Sequence, residues 1–332
     1  MKNRIIPVIV GPTAVGKTEC AIRIAQELDG EIVSADSMQI YRFMDIGSAK
    51  PTAEEQAAAR HHLVDTIDPR EPFSVAEYCR MARECIEDIF RRGKLPVISG
   101  GTGLYVNSLI YDMDFSAPPA DRNLREKYQT IAQEKGAEYL HSLLAKVDSE
   151  AAARIHPNNV KKVIRAMEAA KSGEKIPSFE NSFRRTSSYT CILIGLQRDR
   201  AELYDRINRR VDIMMEAGLE DEIRRLMDMG LSSEDISMKG IGYKELIDAM
   251  NGFSTTEEAV ELIKRNSRRY AKRQMTWFRR YPDIRWFDLT ENRENMENAD
   301  ATEENRDVTE QILTYIREKS AETAAEAEKA QI

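Results

Sequence analysis

Apolar and polar residues follow two rhythms along this chain. An unbroken apolar run, IIPVIV at residues 5–10, stops at Gly11; the ECAIRIAQEL stretch after it places Ala21, Ile22, Ala25 and Leu28 on one helical face. This pattern predicts a buried strand, a glycine turn and an amphipathic helix. Similar runs recur at EIVSAD (31–36), HHLVDTI (61–67), LPVISGG (95–101) and CILIGL (191–196), with helical patterns between most of them. Strands alternating with helices predict an α/β fold, a parallel sheet covered by helices on both faces.

The rhythm breaks at about Ser116. Pro118 and Pro119 end one unit, and the residues up to Arg185 read as helices with no strand among them, which predicts an inserted helical domain over 116–185. The α/β core then has a first part, 1–115, and a second, 186–290, containing helices up to Arg280 and an edge strand in IRWFDL (284–289). Beyond Thr290 the chain is rich in Glu, Asn and Ala. Only VTEQILTYIREK (308–319) keeps an apolar stripe there, through Val308, Ile312 and Ile316, so 291–332 reads as an acidic, partly disordered tail with one surface helix. No internal repeat is visible.

Charge alters the picture once it is divided along the chain. The net charge is -7 over 332 residues, but residues 288–332 hold 13 acids and 5 bases, which leaves +1 for residues 1–287. Residues 261–280 carry eight bases against Glu261 alone, interleaved with Tyr270, Trp277 and Phe278. Cations with interspersed aromatics suit phosphate contact and base stacking. The four cysteines form no CxxC pair, which argues against a zinc site or disulfide framework and for a reducing, cytoplasmic setting. The N-terminal apolar run is too short for a membrane span and lacks a leader pattern. Tandem His61-His62 reads as structural, and Ile213, Met214 and Met215 read as core; Tyr105 and Tyr243 fit either packing or a channel wall.

Gly11, Pro12, Thr13, Ala14, Val15, Gly16, Lys17 and Thr18 match GxxxxGK[ST] between a strand and a helix, the context that pattern requires. Such a loop curls backbone N–H groups round an anion at a helix N-terminus; Lys17 adds a charge and Thr18 offers a hydroxyl to Mg²⁺. The loop recognises a polyphosphate without specifying a reaction. Asp36, at the end of the next strand, lies where open α/β sheets bind ligands, and can take a proton or hold a metal through water.

Five motifs occur in the order seen in bacterial tRNA dimethylallyltransferases: GPTAVGKT, ADSMQIYRFMDIGSAKP, ISGGTGLY, ARIHPNNVKKVIRAMEA and RRYAKRQMTWFRR. The chain resembles that family over most of residues 5–288. The resemblance implies a P-loop kinase-like core, an inserted helical domain, and a channel entered from opposite sides by dimethylallyl diphosphate and the anticodon stem-loop of tRNA. It makes Gly11–Thr18 the diphosphate cradle and Asp36 the partner of the attacking adenine N6, with Ser37, Met38 and Gln39 lining the base. Thr102 and Arg125 resemble tRNA-contacting residues. Lys272, Arg273, Gln274, Met275, Thr276, Trp277, Phe278 and Arg279 resemble an anticodon-loop contact. Arg210, beside Arg206 and Arg209, resembles an arginine that adds charge at the diphosphate. A monomer using Mg²⁺ is implied. Ser48 stands where the family commonly has Thr, keeping the hydroxyl, and the zinc finger of eukaryotic relatives has no counterpart. Two rivals share the P-loop: a small-molecule phosphotransferase, which would use Asp36 on a hydroxyl, and a non-catalytic RNA-binding NTPase switch.

Overall fold

The computed structural model describes residues 4–113, 122–171, 173, 185–290 and 301–329; the Pro118-Pro119 break and residues 291–300 lie outside these. The chain divides into two compact units, Met1–Ile110 with Thr186–Ile332, and Tyr111–Arg185.

The first unit is the α/β fold that the apolar runs predict. In chain order it contains β1 (Ile5–Val10), α1 (Lys17–Glu27), β2 (Gly30–Ser34), α2 (Ala53–Ala58), β3 (His61–His62), α3 (Val75–Arg91), β4 (Leu95–Gly100) and α4 (Gly103–Ile110). The six strands, completed by β5 (Thr190–Gln197) and β6 (Arg285–Asp288), lie in the order β3-β2-β4-β1-β5-β6, and every pairing is parallel. β1 is central because it is apolar on both faces, and five of its six residues are buried. Parallel pairing brings the C-terminal ends of β1, β2, β4 and β5 to one edge, where their loops meet.

One strand is shorter than expected. HHLVDTI reads as seven extended residues, yet only His61 and His62 pair. Leu63 and Asp65 adopt left-handed backbone (φ 60° and 54°), turning the chain so that Thr66 and Ile67 donate to the Ile40 carbonyl. The two histidines are structural partners: His61 Nδ1 contacts the Ala59 carbonyl, and His62 Nε2 contacts Glu31, which also takes two bonds from Arg92. Those partners hold the Glu31 carboxyl down at about 2, chiefly through Arg92.

The second unit contains α5 (Arg122–Lys135), α6 (Ala137–Val147), α7 (Ser149–Arg154) and α8 (Val160–Lys171) around a small core that includes Leu140, Leu144, Val163 and Met167. Arg125 makes two bonds to the buried Glu168, at 3.0 and 3.1 Å.

After β5 follow α9 (Arg200–Glu216), α10 (Leu219–Asp228), α11 (Tyr243–Met250), α12 (Thr256–Phe278) and, past β6, α13 (Ala301–Lys329). The apolar stripe expected on a surface helix over 308–319 is instead packed into the main core: Ile312, Leu313, Tyr315 and Ile316 are buried with Cys20, Ile24 and Phe287. Among the described residues no helix is long and apolar enough to cross a membrane.

Removing the fully buried side chain of Leu313 should destabilise the protein by about 2–5 kcal/mol, since the transfer energy of a leucine is lost and a cavity is left. Urea unfolding of Leu313→Ala checks this. A change below about 0.5 kcal/mol would mean that α13 is not part of the cooperative core.

Candidate functional site

The loop between β1 and α1 is shaped by its own carbonyls being occupied. Lys17 Nζ donates to the Pro12 carbonyl at 2.8 Å, Arg206 Nε to Ala14 at 3.0 Å and Arg198 Nε to Val15 at 3.0 Å. Ala14 (φ 64°) and Gly16 (φ 112°) take left-handed backbone, and no side chain caps the α1 N-terminus. The first-turn N–H groups have no intrahelical partner, so this end of α1 suits an anion.

Arg210, the arginine expected at the diphosphate, lines a cavity of about 620 Å³ with Lys17, Thr18 and Asp36, and its neighbours Arg206 and Arg209 line it too. Burial lowers the Lys17 ammonium to about 8, against the opposing pull of the Asp36 carboxylate and with a smaller push from Arg210. Burial, then Arg206, also lowers Arg210. Both cations are held at an energetic cost that an incoming anion would relieve.

Asp36 lies just past β2. Its Oδ1 accepts the Met38 N–H at 2.8 Å and the Gln39 N–H at 3.3 Å, which fixes the turn. Gln39 donates to the Ala49 carbonyl at 2.9 Å, and Ser37 N donates to Thr102 Oγ1 at 3.0 Å. A second cavity of about 420 Å³, with Met38, Phe73, Tyr105 and Ile241 in its walls, adjoins the first. Thr13, Asp36, Arg210, Met214 and Tyr270 are among the residues that line both. Asp36 therefore stands where a cationic chamber meets a more apolar one.

The ISGGTGLY glycines explain how the loops come so close. A Cβ on Gly100 would collide with the Ala35 backbone, one on Gly101 with the Gln274 amide, and one on Gly103 with the Trp277 indole. Gln274 and Trp277 belong to the basic helix α12, so this helix packs directly on the β4 loop. Gln274 Oε1 accepts the Thr13 N–H and its Nε2 donates to the Gly101 carbonyl, both at 2.9 Å.

That packing corrects part of the expected RNA-contacting set. Lys272, Arg273, Thr276 and Arg279 are exposed, but Gln274 and Phe278 are buried and Met275 and Trp277 half-buried. Residues 271, 274 and 278 follow the inward stripe of the helix, so Gln274 and Phe278 serve the interior. Ile213 and Met214 also depart from expectation. Instead of core, Ile213 is 56% exposed at the rim of the first cavity, and Met214 lines both. Arg125 is placed in the helical unit by its Glu168 pair and is described with that unit alone.

Glu222 escaped the sequence reading, and Tyr270 was read only as an aromatic of the basic helix. Tyr270 shares both cavities, and burial together with the Asp36 charge pushes its phenol up to about 12, which keeps it a hydrogen-bond donor. Glu222, only 1% exposed, accepts the N–H groups of Asp45, Ile46 and Gly47 and the Tyr243 hydroxyl, pinning the loop that follows the Asp36 turn. Tyr243 is thus a packing residue, fitted against Gly47; Tyr105 both stacks on Tyr78, with ring centroids 3.8 Å apart, and lines the second cavity.

The family profile described as IPP transferase matches residues 39–281, and one described as isopentenyl transferase matches 4–72. The chain belongs to the IPP transferase family. It is 52% identical over 299 residues to a tRNA dimethylallyltransferase of Alkaliphilus oremlandii, covering 90% of this chain and 95% of that one. A tRNA dimethylallyltransferase of Bacillus subtilis is 49% identical over 86% of this chain and 91% of its own length. Among solved structures, the full-length tRNA isopentenylpyrophosphate transferase of Bacillus halodurans superposes with a TM-score of 0.72 at 43% identity, covering 98% of this chain and 100% of that one. A eukaryotic dimethylallyltransferase acting on tRNA reaches 0.76 at 29% identity, over 90% of this chain and 77% of its own. The P-loop, kinase-like parallel sheet is the fold of this family.

Because the free Lys17 titrates near 8 and a bound polyanion favours its charged form, anion binding should take up a proton above that pH. Calorimetry with inorganic diphosphate should show affinity falling by no more than about twofold between pH 7 and 8 on account of Lys17. Above pH 8 the affinity should weaken, by up to about tenfold per pH unit. Lys17→Arg should abolish that slope, and a wild-type affinity independent of pH up to 9.5 would refute the assignment.

Proposed function

We propose that this enzyme transfers the dimethylallyl group of dimethylallyl diphosphate to N6 of the adenosine 3′-adjacent to the anticodon in tRNA, releasing diphosphate. The observation that carries the reading is Asp36 at the junction of a cationic and an apolar cavity. The prenyl transfer of the family's relatives needs such a place, with an amine on one side and a departing diphosphate on the other.

The adenine N6 attacks C1 of the allylic chain; the N6–C1 bond forms as the C1–O bond breaks, and the electron pair leaves with the diphosphate. Lys17, Arg210 and the loop amides offset the negative charge that grows on the leaving oxygen. Asp36, fixed by its own turn, aligns N6 and accepts its proton, while Ser37, Met38 and Gln39 flank the base. Thr102 holds that segment through Ser37. The exposed cations Lys272, Arg273 and Arg279 meet the phosphates of the anticodon stem-loop, and Arg125 supplies a further contact.

Mg²⁺ fits this donor set. Thr18, at the start of α1 and in the wall of the first cavity beside Lys17 and Asp36, would offer the ion its hydroxyl, and oxygen donors of this kind suit Mg²⁺. When bound, the ion supplies Lewis-acid neutralisation of the diphosphate. A phosphotransferase gives the basic face of α12 no role, and an NTPase switch gives none to the apolar chamber beside Asp36.

Incubation with dimethylallyl diphosphate and unmodified tRNA should yield an adenosine heavier by one dimethylallyl unit, read by nucleoside mass analysis. Asp36→Asn should lower kcat by about 10² to 10⁴ while donor affinity stays within a few-fold, because Asn keeps the size but takes up no proton. Lys17→Ala should impair both. No prenylated nucleoside from the wild type, with tight ATP binding and turnover, would promote the phosphotransferase. Wild-type turnover by Asp36→Asn would remove Asp36 from its assigned role.

A further inference from the structure

The two faces of α12 do different things within one turn of helix. Lys272 and Thr276 point outward and Arg273 is exposed at the wall of the second cavity, while Gln274, only 5% exposed, points in and uses both ends of its amide on separate loops. One end accepts the N–H of Thr13, a residue that lines both cavities; the other donates to Gly101, next to the Thr102 that steadies Ser37. A buried amide could be satisfied by any nearby backbone group. Here it joins the diphosphate loop to the base-binding side of the site, and it does so from the helix that carries the exposed cations. Gly101 must lack a side chain for the amide to reach.

We propose that Gln274 is a positioning residue through which RNA seated on the outer face of α12 and diphosphate seated in the P-loop strengthen each other's binding, an inference that rests on the prenyl-transfer reading above. A helical turn moves as a unit, so whatever anchors Arg273 from outside also anchors Gln274 inside. With Gln274 anchored, Thr13 is held in place, and the loop loses less freedom when the anion arrives. The coupling is reciprocal by linkage.

The test uses full-length protein, inorganic diphosphate as the probe and an unmodified anticodon stem-loop RNA. In the wild type, saturating RNA should tighten diphosphate binding at least about fivefold, the lower end of ordinary site-to-site coupling. Gln274→Met keeps the length and roughly the volume but removes both hydrogen bonds. It should cut the enhancement to below about twofold while leaving affinity for RNA alone within about twofold, and raise the KM for the donor more than it lowers kcat. A residue with a merely structural role would lower the melting temperature and leave the enhancement untouched. Amide exchange gives a measurement that needs no variant: RNA should slow exchange across residues 11–18 of the wild type. Wild-type enhancement retained by Gln274→Met, or loop exchange indifferent to RNA, overturns the proposal. Coupling without prenylated product would instead sink the prenyl-transfer reading, and product without coupling would sink only this inference.

Discussion

From the end of β4 to the start of α4 the chain passes within contact distance of groups on two other segments: the backbone after β2, and the Gln274 amide and Trp277 indole of α12. A side chain at Gly100, Gly101 or Gly103 would drive one of these away. The approach of Ala35 fixes where Asp36 lies relative to Thr102, and the approach of Gln274 fixes Thr13. The site thus depends on a shortage of atoms at three positions of one loop as much as on the charged groups that surround it. Parallel pairing brings these loops to one edge, and the missing Cβ atoms let them touch.

On that framework the electrostatics are deliberately unbalanced. Lys17 and Arg210 are half-buried near one another, and desolvation depresses both, yet Asp36 opposes the depression of Lys17 only in part. Isolated like charges at this depth weaken the folded protein. They become favourable once a polyanion supplies the missing negative charge. The carbonyls of Pro12, Ala14 and Val15 are tied to Lys17, Arg206 and Arg198, so the polarity of the loop is settled before any ligand arrives.

Much of this was legible in the sequence. The apolar runs marked the strands, the glycine-lysine pattern marked the loop between β1 and α1, and the place of Asp36 just past β2 followed from the run before it. HHLVDTI misled because left-handed backbone at Leu63 and Asp65 leaves no trace in hydrophobic pattern. Glu222 was missed, and Gln274 was read as an RNA contact rather than an interior amide, although a signal existed. Leu219, Ile223 and Leu226 define a buried stripe on α10, and Glu222 falls on it; Ala271 and Phe278 do the same for Gln274 on α12. A polar residue on an apolar stripe signals a buried partner, but the partners here lie more than 170 residues away along the chain, at Asp45 to Gly47, Thr13 and Gly101. Local pattern shows that such a residue needs something, and only the assembled fold shows what.

The position of α13 has a consequence for the anion-binding loop. Its residues Ile312, Leu313 and Ile316 close the core beside α1, the helix that begins at the anion loop, and Glu310 lies 3.6 Å from Arg23. An early helix of the chain is therefore covered by a late one. Packed against β2 and β4 on one side and α13 on the other, α1 joins contacts of short and of very long sequence separation, and the long-range ones are the slower to form. Loss of Ile312, Leu313 and Ile316 would therefore reach the packing of α1, and through it the loop from which that helix starts.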